Sequence, residues 1–117
     1  MIDHFNLPVS DLTRSRLFYE CVLVPLGARF VAQDGAAVGF GINNWSFGVV
    51  LAPLPIIKLH FAFGAQSRLS VDAFFETALA NGAVANGSPG VRCQYDPNYY
   101  AAGIAIHDNA SPKGQFD

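Results

Sequence analysis

Two stretches of this 117-residue chain, about 56 positions apart, are laid out to the same plan. The first opens with His4-Phe5-Asn6-Leu7 and the second with His60-Phe61-Ala62-Phe63. A serine able to start a helix follows each opening, Ser10 in one case and Ser67 in the other. An amphipathic run comes next, and each run closes on a Gly-Ala step, at Gly27-Ala28 and at Gly82-Ala83. Gly27 follows His4 by 23 positions, and Gly82 follows His60 by 22. Self-similarity of this kind marks one supersecondary unit used twice.

Read for periodicity, the first unit is a strand, a helix and three strands. Residues 2–9 alternate, with Phe5, Leu7 and Val9 on one face and Ile2, His4 and Asn6 on the other. Pro8, Ser10 and Asp11 end that strand, and Ser10 or Asp11 caps a helix that runs to about Val24. Its inward stripe is Leu12, Ser15, Phe18, Tyr19 and Val22, with Cys21 on the same apolar side. Short strands follow over residues 28–32, 36–41 and 45–51. They turn at Gln33-Asp34-Gly35 and Asn43-Asn44, residue types that accept positive φ. Residues 52–55 read as a linker.

The second unit repeats the order. Residues 57–64 form a strand, and residues 68–81 form a helix capped by Ser67. That helix places Val71, Phe74, Phe75, Ala78 and Leu79 on one side. A short strand over 83–85, a polar loop over 86–97 and a strand over 99–107 come next. The tail, 108–117, reads as a turn and a short last strand. One βαβββ unit leaves the open face of its sheet uncovered, whereas two side by side cover each other. The expected fold is therefore α+β, a single domain over 1–117 with the helices outside. Module one spans about 1–52 and module two about 56–117.

Composition narrows the function. Apolar residues make up 51% of the chain and charged ones 14%, enough for a core and unlike a disordered tail. The net charge is −2 with no Lys/Arg cluster, so a nucleic-acid partner is not expected. Pro53 and Pro55 interrupt the longest apolar run, which is too short to span a bilayer. The opening Met1-Ile2-Asp3-His4 has neither a basic nor an apolar leader region, so the expected location is the cytoplasm. Cys21 and Cys93 share no motif spacing and read as structural thiols.

With these residues in place, the sequence resembles the vicinal oxygen chelate superfamily, the glyoxalase, bleomycin-resistance and extradiol-dioxygenase group. The likeness covers about residues 1–102. It rests on Ile2-Asp3-His4-Phe5 through Ser10-Asp11, Ser15 and Phe18-Tyr19 for the opening strand and helix. His60-Phe61-Ala62-Phe63 is similar to the second-module opening. Arg92, Tyr95, Pro97 and Tyr99-Tyr100 are similar to a loop-and-strand signature of small bacterial members. The resemblance implies a curved mixed sheet from each module, the two enclosing a cavity, and a homodimer. It also implies one divalent metal ion held by His4, His60 and a carboxylate near the C-terminus, which chelates two neighbouring oxygens of a small molecule. The tail departs from the family pattern. Ser111-Pro112-Lys113-Gly114 stands where an Asp-Pro-Asp-Gly turn is usual, which puts Asp117 in the carboxylate position; counting without gaps puts Lys113 there.

Three readings of the function follow. In the first, the chain is a metal-dependent lyase, isomerase or dioxygenase. Alternation turns Phe5 and Phe61 to the core, so the imidazoles of His4 and His60 face the cavity. Neutral imidazoles suit zinc, iron, manganese or nickel, and a phenol at Tyr99 or Tyr100 can donate to a developing oxyanion. In the second, the chain is a metal-free binding or drug-sequestering protein whose pocket holds a planar apolar ligand. Trp45, Phe47, Arg92 and Tyr95 are the substrate-binding candidates in either case. A relative with a degraded site and no catalysis is the third possibility.

Overall fold

The computed structural model describes residues 1–52 and 59–106. The first half follows its expected order closely. Strand β1 (Phe5–Val9) turns Phe5, Leu7 and Val9 inward, and Val9 is buried. Asp11 then caps α1 (Leu12–Val22), its carboxylate accepting from the Arg14 N–H at 3.0 Å. Phe18, Tyr19 and Val22 are the buried face of α1. Pro25 cannot continue an α-helix, and the chain passes into a 3-10 turn over Val24–Leu26 that ends at Gly27, φ 83°. Cys21 is exposed, not inward. At 100° per residue it lies outside the arc drawn by Phe18, Tyr19 and Val22.

Strands β2 (Arg29–Asp34), β3 (Ala37–Gly41) and β4 (Phe47–Leu51) complete a four-stranded sheet of order β1-β4-β3-β2. β4 runs antiparallel to β3 and parallel to β1, with Phe5 opposite Phe47 and Val9 opposite Leu51. Among the described residues β1 is an edge strand, where Pro8 can lack its amide donor at little cost. Val38, Phe40, Phe47 and Val49 alternate onto the helix side and join Phe18, Tyr19, Val22 and Leu23 in one cluster. Tyr19 packs edge-on to Phe47 at 4.9 Å. Fully burying such side chains is worth about 1.5–3 kcal/mol each.

The second half shares that core. Helix α2 (Arg68–Ala80) starts at Ser67, whose side chain accepts from the Ser70 N–H. Ala78 and Ala83 belong to the same buried cluster, with Phe63, Phe74, Ile104 and Ile106 packed against it. The strands after α2 are short: β5 (Val84–Ala85), β6 (Gly90–Val91), β7 (Tyr100–Ala101) and β8 (Ile104–Ala105). β5 pairs with β8 and β6 with β7, both antiparallel. Between these pairs the Asn86 N–H donates to Gly103 O and the Gly103 N–H to Gly87 O, so the four pieces form one interrupted hairpin. The loop expected over 86–97 thus contains strand β6, and the strand expected over 99–107 is broken at Ala102-Gly103.

Of the strand expected over 57–64, residues 57 and 58 lie outside the described residues. Residues 59–64 run without a sheet partner among those described. Among the described residues β1 is held by β4, the last strand of the first half. The short last strand expected within 108–117 lies outside the described residues. Among the described residues the architecture is a mixed α+β fold with a four-stranded sheet, two α-helices and an interrupted hairpin.

Candidate functional site

A broad cleft of about 1660 Å³ opens between the two halves. One wall comes from the end of β1 and from α1, including Leu7, Leu17 and Phe18. The other comes from residues 59–65, α2 and the hairpin. Aromatic rings dominate this second wall. Phe61 meets Phe63 at 5.5 Å, Phe63 meets Phe74 at 6.1 Å, and Tyr95 meets Tyr99 edge-on at 5.4 Å. Phe61 is 37% exposed and Tyr99 48% exposed, so rings are available to a ligand.

His60 lines this cleft and is exposed. His4 is not among the lining residues. It stands just before β1, exposed, with Nδ1 3.2 Å from Asp3 Oδ2. The residues after them do meet: the Phe5 and Phe61 rings are 5.2 Å apart. Asp117 and Lys113 lie outside the described residues. Among the described residues no three His, Cys, Asp or Glu side chains come together in a way that could hold a metal ion. The described donors therefore do not by themselves form the expected three-ligand site.

The binding candidates fall in three places: the core, the outer face of the sheet, and the cleft. Phe47 is buried in the core, 6% exposed, between Tyr19, Phe61 and Phe63. Trp45 lies on the sheet face away from α1. Its indole covers Gly39 and Gly48, which face each other across β3 and β4; a Cβ on Gly39 would stand 2.0 Å from the ring. Its Nε1–H donates to Asn6 Oδ1 at 3.0 Å. Trp45 is not among the residues lining the cleft.

Arg92, Tyr95, Tyr99 and Tyr100 do line it. Arg92 is occupied as a loop staple, Nη1 donating to Gly90 O at 3.1 Å and Nη2 to Ser88 O at 2.8 Å. Tyr100 donates its hydroxyl proton to Asp72 Oδ1 at 2.6 Å. That hydrogen bond is the main reason the phenol is held above its ordinary pKa of 10.0. Burial and the Asp72 charge act in the same direction, and Arg68 and Arg92 oppose them. Sequence reasoning missed Asp72, Arg68 and Asn6 as partners. Only Arg68 and Asp72 left a trace, four residues apart on one face of a helix.

No family model matches this chain, and no curated protein matches it in sequence. Its fold does match solved structures. A glyoxalase/bleomycin resistance protein from Albidiferax ferrireducens is 26% identical with a TM-score of 0.79, over 91% of this chain and 90% of that one. A glyoxalase/bleomycin resistance protein/dioxygenase family enzyme from Burkholderia phytofirmans is 18% identical with a TM-score of 0.65, over 89% and 88%.

Proposed function

This chain has the fold of the vicinal oxygen chelate superfamily, and on that premise we propose that it binds a small, planar, mainly apolar organic molecule in the cleft between its halves. The aromatic wall of Phe61, Phe63, Phe74 and Tyr99 carries this reading. Flat rings with exposed faces gain from burying a flat apolar ligand, and edge-to-face pairs add to plain area burial. In this reading residues from about 56 form a second βαβββ module, whose curved sheet faces that of the first. The protein acts in the cytoplasm and works as a homodimer.

The second reading is a metal-dependent lyase, isomerase or dioxygenase, with one zinc, iron, manganese or nickel ion held by His4, His60 and Asp117. The Phe5–Phe61 contact favours it, because it brings the two histidine-bearing segments side by side. When bound, the ion would supply Lewis-acid activation of paired oxygens. Tyr99 would then be the phenol better placed to donate, since Tyr100 already spends its proton on Asp72.

Titration calorimetry of the intact protein separates the readings. With 2-naphthol as titrant, saturable binding is expected, weakened roughly tenfold in Phe61→Ala and in Tyr99→Ala by lost apolar contact. No saturation, or full affinity in both variants, would defeat the binding reading. With zinc as titrant, stoichiometric binding that disappears in both His4→Ala and His60→Ala would favour the enzyme instead.

A further inference from the structure

The start of α2 grips one tyrosine of the hairpin from two directions. Arg68 and Asp72, four residues apart, share a face of the helix. Asp72 Oδ1 accepts from Tyr100 Oη at 2.6 Å, and the Arg68 guanidinium lies 5.0 Å from the centre of the Tyr100 ring. Tyr100 itself belongs to β7 and lines the cleft.

A phenol has one proton and two lone pairs. In Tyr100 the proton is committed to a carboxylate, the stronger kind of hydrogen bond. What its oxygen retains for a third partner is acceptor capacity. A ligand bringing only an acceptor to this place meets one of two penalties. Its oxygen faces a lone pair, or it takes the proton and strands the Asp72 carboxylate without its donor.

We propose that Asp72 and Tyr100 set the polar selectivity of the cleft, so that it takes a planar apolar molecule carrying a hydroxyl or N–H donor and rejects the counterpart whose oxygen can only accept. This rests on the binding reading given above and names the ligand class for that site. Asp72 acts through Tyr100 and is a positioning residue; Tyr100 makes the contact.

The test compares 2-naphthol with 2-methoxynaphthalene by calorimetry on the intact chain, after correction for their partition between water and octanol. Wild-type protein is expected to prefer the naphthol by about 5- to 10-fold, the size of one net hydrogen bond. Tyr100→Phe removes the preference by weakening naphthol binding. Asp72→Ala removes it by the opposite route, because the freed phenol proton lets methoxynaphthalene gain. A purely structural pair would lower the melting temperature of both variants and leave the ratio of the two affinities unchanged. Equal affinities in the wild type, or a preference that survives Tyr100→Phe, overturns the selectivity while naphthol binding itself stands. Absence of binding by either probe removes the binding reading and this proposal together.

Discussion

At the scale of single residues, one close constraint is the contact between Trp45 and two glycines. An added methyl on Gly39 would sit 2.0 Å from the indole, with ring atoms of Trp45 as its three nearest neighbours. Gly39→Ala must therefore push the ring away and break its bond to Asn6. The expected cost is about 1–3 kcal/mol, read as a lower midpoint in guanidinium with tryptophan emission moved to the red. Unchanged midpoint and emission would show that the ring does not rest there. Tyr100 makes a second residue-scale prediction, in pH. Its pKa is raised in the folded state, so the protonated phenol is the form that stabilises. That contribution is complete below the ordinary value of 10.0 and is lost as pH rises through the higher folded value. In urea denaturation across a pH series, the stability advantage of wild type over Tyr100→Phe should hold from neutrality to about pH 9 and shrink above pH 10. An advantage that grows with alkali would reverse the assignment.

At the scale of elements, the helices were the most legible part of the sequence and their caps the most local. Ser67 accepts from the Ser70 N–H at 3.0 Å, and its hydroxyl also meets that of Ser70 at 3.0 Å. Ser67→Ala should cost about 1 kcal/mol and Ser67→Asp much less, because aspartate caps equally well; thermal melts of the two variants check this, and equal losses would contradict it. Strands β1, β3 and β4 were readable for a related reason. Each has five residues, long enough for alternation to show. The hairpin after α2 was not readable as drawn. Its strands are two residues long, so no period can emerge, and Gly87, Pro89 and Gly90 read as loop. The Tyr100–Asp72 bond joins residues 28 apart and exists only once α2 lies against β7. Cys21 lies next to the apolar stripe in sequence, yet its angle on the helix sets it outside the buried face of Phe18, Tyr19 and Val22.

At the scale of the whole molecule, the mixed α+β class was legible in the order of strands and helices, and the family resemblance is matched by the fold of known structures. The site was harder to foresee. Alternation assigns a face within one strand, but how two halves stack decides which faces meet. Trp45 and Tyr99 read alike in sequence as pocket aromatics, yet only the tyrosine lines the cleft. The division has a practical sequel. Trp45 is the chain's single tryptophan, and its ring touches β1 through Asn6, β3 through Gly39 and β4 through Gly48. Its light is thus a built-in gauge of one sheet. Partial melting confined to the α2 hairpin would leave that glow steady while circular dichroism already falls, so comparing the two signals on heating tells whether the halves come apart in sequence or at once.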